Sequence, residues 1–132
     1  MNYQLESVRM NQTEKRQIMV LDDDQIQHIL FRKRAQQVAS DFQLHFFEMG
    51  ESLLEFLLEN EADTVVSDLN MEAMNGWTFI EELFKLGFKG KLFILSASVN
   101  EEDRIRAKKD SRIHGFFEKP LSNSDLIQIL TA

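Results

Sequence analysis

The sequence predicts an α/β fold built from five successive βα units around a parallel sheet. From Ile18 onward, short apolar runs alternate with longer segments of helical pattern, and this alternation is typical of βα units. Several of the apolar runs are nearly continuous, as parallel strands covered by helices on both faces require. The length of 132 residues fits one compact domain.

Five short, largely apolar runs are predicted as strands. They are Ile18–Leu21, Leu44–Met49, Thr64–Ser67, Leu92–Leu95 and Gly115–Phe117. Residues 1–17 are polar with isolated apolar positions, and we interpret them as a loosely ordered leader before a domain that spans residues 18–132. Pro120 follows the fifth run, where its missing backbone donor suits a turn.

The segments between and after these runs are predicted as helices. They are Ile26–Ala39, Ser52–Leu58, Thr78–Leu86, Glu101–Lys109 and Ser124–Leu130. Asn100 and Ser122 each precede by three residues an acidic residue in the positively polarised first turn, so both are predicted to cap a helix. The first helix is expected to turn a stripe inward that Arg34 interrupts. This stripe consists of Leu30, Phe31, Ala35 and Val38.

Composition excludes several classes of function. The formal net charge of -7 repels nucleic-acid phosphates and anionic lipids, so neither is an expected partner. No apolar stretch approaches the roughly 18 residues that span a bilayer, and residues 1–17 lack the apolar centre of a secretory signal, so we expect a cytoplasmic protein. The chain has no cysteine, and His28, His45 and His114 are too scattered to suggest a metal cluster, which leaves oxygen ligands for any metal. His28 and His45 are assigned no function.

Polar residues follow four of the apolar runs at the point where each run ends. They are Asp22-Asp23-Asp24, Asp68, Ser96 and Lys119. Because the C-terminal ends of parallel strands lie along one edge of a sheet, these side chains are expected to converge. Crowded carboxylates repel each other unless a cation neutralises them, and their oxygens are ligands that magnesium takes. Taken singly, each residue has a structural reading as a solvated turn, a turn hydroxyl or a surface lysine.

Four motifs, in this order, resemble the successive signatures of bacterial receiver domains of two-component response regulators. They are IMVLDDD ending at Asp24, VVSDLNMEAMNG ending at Gly76, ILSA ending at Ala97 and GFFEKP ending at Pro120. The resemblance extends from Ile18 to about Leu130 and is to stand-alone, CheY-like regulators without an output domain. It implies a flavodoxin-like receiver fold with strand order 2-1-3-4-5.

The resemblance implies a phosphoacceptor and a magnesium site. Asp68 would accept the phosphoryl group. Asp23 would hold magnesium directly and Asp22 largely through water, with Asp68 and the backbone carbonyl of Asn70 completing the protein ligands. Three carboxylates carry three negative charges, which one magnesium ion and Lys119 would balance.

The remaining matched positions imply phosphoryl contacts and a switch. Ser96 would hydrogen-bond a phosphoryl oxygen, Lys119 would pair with another, and Phe116 would be the rotating aromatic of the switch together with Ser96. The Lys119–Pro120 bond would be cis. Glu72 stands where the family usually has proline, and Phe116 stands where tyrosine is frequent.

A signalling module, not an enzyme, is therefore the leading interpretation. It would take a phosphoryl group from a histidine kinase or phosphotransfer protein, promote its own phosphorylation and dephosphorylation, and present a surface of the fourth helix, fifth strand and fifth helix to a downstream protein or a second copy of itself. Two alternatives stay open. A magnesium-dependent phosphohydrolase would need an acid two residues after Asp68, where Asn70 stands. A constitutive binding module would need a degenerate site, whereas the expected side chains are all present.

Overall fold

The computed structural model describes residues 15–71, 73–97 and 100–132. Its centre is a five-stranded sheet with the order β2-β1-β3-β4-β5, and the neighbouring strands are parallel. The strands are β1 Arg16–Leu21, β2 Phe42–Phe47, β3 Thr64–Asp68, β4 Lys91–Ser96 and β5 Ile113–Glu118. The predicted fold class and strand order are therefore confirmed.

Five helices follow the strands one by one. They are α1 Gln25–Val38, α2 Gly50–Phe56, α3 Gly76–Lys85, α4 Glu101–Lys109 and α5 Asn123–Thr131. In the described part of the chain, none of these helices is long and apolar enough to cross a membrane. Helix α1 packs beside α5, and α2 packs beside α3, so the two pairs lie in separate layers.

Alternate residues of the interior strand β1, which lies between β2 and β3, point into two separate cores, one on each face of the sheet. Ile18 and Val20 belong to the cluster that includes Leu126 of α5. Met19 and Leu21 belong to the cluster that includes Phe79 of α3. This alternation follows from the period of two along a strand, and it explains why the run is apolar at every position.

Some predicted boundaries were shifted. Strand β1 begins at Arg16, inside the predicted leader, because Arg16 pairs with Phe42 at the start of β2. Strand β2 accordingly ends at Phe47, not at the predicted Met49. Residues 1–14 of the predicted leader lie outside the described residues, as does Glu72.

The predicted inward stripe of α1 was partly wrong. Phe31 and Ala35 are buried, but Leu30 keeps 47% of its surface exposed. Arg34 lies one turn after Leu30, and its Nη2 donates to Oδ1 of Asn123 at 3.1 Å. A polar contact to α5 therefore occupies the side of α1 on which a wider apolar stripe was expected.

Both predicted helix caps are confirmed. The side chain of Asn100 accepts hydrogen bonds from the backbone N–H groups of Glu102 and Asp103. Ser122 and Asp125 form a reciprocal capping box at the start of α5. The peptide bond between Lys119 and Pro120, which precedes this cap, is cis as predicted.

Candidate functional site

The C-terminal edge of the sheet brings together polar side chains from four strands. Asp68 and Ser96 are the last residues of β3 and β4, while Asp22 and Lys119 directly follow β1 and β5. The backbone stays paired at this edge, because the amide of Lys119 donates to the carbonyl of Ser96 at 2.9 Å. The side chains of Ser96 and Lys119 therefore project from backbone positions that are hydrogen-bonded to each other.

Three carboxylates form a compact acidic group at this edge. Asp22, Asp23 and Asp68 each offer one oxygen, and these ligand atoms all lie within 4.8 Å of one another. Asp22 and Asp68 are buried, with 5% and 6% of their surface exposed, whereas Asp23 is exposed. Hard oxygen donors at this spacing suit magnesium, since that ion prefers carboxylate oxygens and keeps several water ligands.

Lys119 lies between two of these carboxylates. Its Nζ donates to Oδ2 of Asp22 at 2.7 Å and to Oδ2 of Asp68 at 3.0 Å. Burial acts to lower the pKa of Lys119, but the hydrogen bonds to Asp22 and Asp68 and the negative charges of these two residues together outweigh burial, so the pKa lies above its ordinary value. The lysine is therefore held as a cation inside the acidic group.

Burial raises the pKa of Asp68 above its ordinary value. The backbone N–H of Asn70, which donates to Oδ1 of Asp68 at 3.1 Å, and the ammonium group of Lys119 oppose this rise without cancelling it. A carboxylate whose charge is destabilised by desolvation gains more from a bound cation than an exposed one does.

The turn after β1 fixes the carboxylate of Asp22. The amide of Asp24 donates to Oδ1 of Asp22 at 2.9 Å, so both oxygens of Asp22 accept hydrogen bonds from the protein. The side chain of Asp24 is directed away from this group and caps α1 by accepting from the amide of Ile26 at 2.9 Å. The third aspartate of the run therefore has a structural role.

The segment after Asp68 folds back closely on itself. Gly76 at the start of α3 donates its N–H to the carbonyl of Leu69 at 3.2 Å, and a Cβ atom at this glycine would lie 2.7 Å from the Cα of Leu69. Asn70 is held from the neighbouring strand, because Oγ of Ser96 donates to Oδ1 of Asn70 at 3.3 Å. Ser96 is thus in contact with the segment that carries the predicted metal-binding carbonyl.

Phe116 lies opposite Ile94 in the pairing of β5 with β4. It is partly buried and packs against the core cluster that contains Ile94 and Phe79. Phe116 therefore lies on β5, two strands away from the strand that ends at Asp68, and its role as the switch aromatic stays a prediction.

One residue beside the site was missed by the sequence reasoning. Nε2 of His28 lies 2.6 Å from the backbone carbonyl oxygen of Asp22. No sequence signal pointed to this contact, because the partner of His28 is a backbone carbonyl, which every residue possesses.

The fold and the polar side chains at the C-terminal edge of the sheet together define the class of protein. A parallel sheet of this order with an acidic group and a lysine at its C-terminal edge is the architecture of a ligand-binding α/β domain. A family model described as the response regulator receiver domain matches residues 18–131. The chain therefore belongs to the response regulator receiver family, whose members are phosphoacceptor signalling modules.

Individual relatives agree with this assignment. The chain is 31% identical over 81 residues to the nitrate/nitrite response regulator protein NarL of Escherichia coli K12. The aligned segment covers 61% of this chain and 37% of NarL, so the chain spans well under half the length of that relative.

Solved structures show the same fold. A two-component response regulator from Cytophaga hutchinsonii superposes with a TM-score of 0.79 at 22% identity, over 89% of this chain and 96% of that one. The chemotaxis protein CheY4 of Vibrio cholerae gives a TM-score of 0.74 at 18% identity, over 89% of this chain and 97% of that one.

Proposed function

We propose that this chain accepts a phosphoryl group on Asp68 from a histidine kinase or a phosphotransfer protein in a magnesium-dependent reaction. The observation that carries the proposal is the acidic group of Asp22, Asp23 and Asp68, whose ligand atoms lie within 4.8 Å of one another, with Lys119 bonded to two of its members. Such a site concentrates negative charge where a cation and a phosphoryl group can share it.

Magnesium would be held by Asp23 directly, by Asp22 largely through water, by Asp68 and by the backbone carbonyl of Asn70. When bound, the ion would supply positive charge for the phosphoryl oxygens. The protein supplies the rest: Lys119 provides a second cation, and Ser96 a hydroxyl, for the oxygens of the transferred group. The contact between Ser96 and Asn70 supports this placement, because it puts the hydroxyl beside the segment that follows Asp68.

The proposed transfer needs no separate base. A carboxylate oxygen of Asp68 attacks the phosphorus atom, an oxygen–phosphorus bond forms, and the nitrogen–phosphorus bond of the donor histidine breaks with its electron pair returning to the imidazole. Catalysis then consists of positioning and electrostatic stabilisation. Two hydrogen bonds, from the amide of Asn70 and from Lys119, orient the carboxylate of Asp68.

The two alternative functions are less well supported. A phosphohydrolase of the aspartyl-phosphate type needs an acid two residues beyond its nucleophile, and the residue there is Asn70, whose side-chain oxygen accepts from Ser96. A constitutive binding module would not need a lysine that bonds to both Asp22 and Asp68. Turnover of a small phosphoester would favour the hydrolase.

The proposed output is a change in the surface formed by α4, β5 and α5. A new charge on Asp68 would draw Ser96 inward and vacate space for Phe116, a two-state element with a different contact in each state. The proposed recipient is a downstream protein or a second copy of the chain, and the proposed compartment is the cytoplasm.

Phosphorylation is tested by intact-mass analysis after incubation with a small-molecule phosphodonor, with and without magnesium. We expect the mass of one phosphoryl group, dependent on magnesium and released by hydroxylamine. Asp68→Asn should abolish labelling, whereas the control Asp24→Asn should retain it, because asparagine also caps a helix. Undiminished labelling of the Asp68 variant would exclude the assigned acceptor.

Magnesium binding is tested by titrating wild type, Asp23→Asn and Asp24→Asn. The first variant should bind magnesium much more weakly, and its melting temperature without metal should rise because a repelling charge is removed. The second should bind like wild type, since the side chain of Asp24 caps α1. Equal loss of affinity in both variants would mean that the acidic run has been misassigned.

The readout is tested by amide spectra with and without a beryllofluoride mimic of the phosphoryl group. Shifts should extend from the loops around Asp23 and Asp68 to Phe116 and α4. Shifts confined to those two loops would leave Asp68 an acceptor without this output.

A further inference from the structure

We propose that His28 is a positioning residue that fixes the peptide unit between Asp22 and Asp23 and thereby sets how those two carboxylates face a bound magnesium ion. This inference rests on the proposed function, because it concerns the same acidic group.

The contact between His28 and Asp22 is short and has one possible direction. Nε2 of His28 lies 2.6 Å from the carbonyl oxygen of Asp22. A carbonyl oxygen only accepts hydrogen bonds, so Nε2 carries the hydrogen and donates it. The carbonyl of Asp22 and the amide nitrogen of Asp23 belong to one planar peptide unit. A donor that holds the oxygen therefore also fixes the direction in which the chain enters Asp23.

Other contacts fix the neighbouring atoms of this turn. The amide of Asp22 donates to the carbonyl of Phe47 at 3.0 Å, and the amide of Asp24 donates to Oδ1 of Asp22 at 2.9 Å. These bonds hold the peptide units before Asp22 and before Asp24. The unit in between, which joins the buried carboxylate to the exposed one, is held at its carbonyl by His28.

The ring of His28 is itself held in place. It packs on Phe46 of β2 with the ring centroids 5.0 Å apart. Phe46 is supported in turn by the ring of Phe31, which is nearly perpendicular to it at a centroid distance of 6.2 Å, and by the guanidinium group of Arg32, 4.8 Å from the ring centroid of Phe46. The donor is therefore part of the packing between α1 and β2.

A positioned peptide matters because magnesium requires nearly ideal octahedral geometry. Protein groups that orient the ligands of a metal contribute about tenfold or more to its affinity. We therefore expect loss of the His28 donor to weaken magnesium binding by about tenfold, although His28 itself contacts no ion.

The test is a titration of the full chain with magnesium chloride at one fixed pH, followed by the amide signals of residues 22–24. His28→Phe keeps a ring on Phe46 without the donor, and His28→Met is a second donor-free variant that fills the space differently. His28→Gln places an amide N–H about where Nε2 lies. The dispersion of the amide spectrum without magnesium reports whether each variant is folded.

His45 provides a matched control. Its Nε2 lies 2.7 Å from Oε1 of Gln17, and its ring packs near Phe56 with centroids 5.6 Å apart, so it is also a partly buried histidine with one hydrogen bond and one aromatic neighbour. It lies in the middle of β2, paired with Met19 and away from the acidic group. His45→Phe should bind magnesium like wild type.

The proposal predicts that a folded donor-free variant binds magnesium about tenfold more weakly and that His28→Gln recovers most of the affinity. Wild-type affinity in a folded donor-free variant would overturn the role of His28 and leave the proposed function intact. A His28→Gln variant that binds magnesium as weakly as His28→Phe would likewise overturn the role of His28 and leave the proposed function intact. A wild-type chain whose residues 22–24 do not respond to magnesium would overturn the proposed function and this inference together.

Discussion

The indole nitrogen of Trp77 donates a hydrogen bond of 2.9 Å to Oδ1 of Asp103 and so links the first turn of α3 to the first turn of α4. The guanidinium group of Arg106 lies over the same ring, 4.1 Å from its centroid. Among its nine residues, α4 buries only Ala107. The attachment of α4 to the body of the domain therefore depends on polar contacts more than on an apolar face.

Replacement of Trp77 by phenylalanine should lower the free energy of unfolding by about 1 kcal/mol, because the variant loses the donor to Asp103 and part of the surface under Arg106. Urea denaturation followed by circular dichroism measures the change. Lys85→Ala is the control: its ion pair with Glu82 is highly exposed, so the effect should stay within about 0.5 kcal/mol. Equal stability of the two variants would show that the link to α4 contributes little.

Asp68→Asn should stabilise the protein in the absence of magnesium. The pKa of Asp68 is raised in the folded state, mainly by burial, so the ionised carboxylate destabilises the fold at neutral pH. This penalty is complete above the raised pKa and disappears as the pH falls through it towards the ordinary value of about 3.9.

Unfolding curves from neutral pH down to about pH 3 test this dependence. The free energy of unfolding of the Asp68 variant should exceed that of wild type most at neutral pH, and the difference should vanish at the acid end. Magnesium should reduce this difference at neutral pH, since it stabilises the wild-type site. A variant that is less stable than wild type at neutral pH without metal would contradict the prediction.

Asp110→Asn should destabilise the protein at neutral pH by about 1 kcal/mol. Arg112 donates from Nε to Oδ1 of Asp110 at 2.9 Å and from Nη2 to Oδ2 at 2.8 Å, and these hydrogen bonds lower the pKa of Asp110. Because the pKa of Asp110 is lower in the folded state, its ionised carboxylate stabilises the fold. This contribution to stability is complete above the ordinary pKa of about 3.9 and is lost as the pH falls through the lowered pKa of the folded state.

The difference between wild type and the Asp110 variant should therefore shrink only below about pH 4. Thermal unfolding across this range measures it. Asp41→Asn changes an exposed aspartate and should give a small difference at every pH. A difference for Asp110 that persists unchanged into strong acid would exclude the ion pair as its cause.

Ser122→Ala should cost about 1 kcal/mol of stability, because Oγ of Ser122 accepts from the amide of Asp125 at 3.0 Å in the capping box of α5. Ser124→Ala, at an exposed position in the same first turn, is the matched control and should be nearly neutral. Chemical denaturation of both variants measures the two changes in the free energy of unfolding. Comparable losses in the two variants would mean that the hydroxyl of Ser122 is not what stabilises this turn.

The sequence was sufficient for the strand order and for the residues at the strand ends. Those residues stand where apolar runs end, and the resemblance of the four motifs to receiver domains predicted that Asp68 and Lys119 lie close together. The exact pairing could not be predicted from the apolar pattern: polar Gln43 separates Phe42 from the apolar run, and Met49 follows it, so β2 was predicted two residues late. The exposure of Leu30 was missed because periodicity identifies a face of a helix but not how much of it a neighbour covers.

The contact between His28 and Asp22 could not be predicted from pattern at all. A lone histidine on a helix carries no local signature, and its partner is a backbone carbonyl, which every residue possesses. Only the angle at which α1 leaves the turn, set by packing on Phe46, brings the ring to that oxygen.

The strand order has a consequence for how the chain is made. Each strand after the first pairs with one that precedes it: β2 and β3 with β1, β4 with β3 and β5 with β4. A chain emerging from the ribosome can therefore extend its sheet in the order of synthesis, and the strands that carry Asp22 and Asp68 leave the ribosome before Lys119 does. The pairing of β1 with β3 brings these two negative charges together in the full chain as well, so we expect it to refold faster in magnesium chloride than in sodium chloride of equal ionic strength. Stopped-flow refolding rates that are equal in the two salts would contradict this expectation.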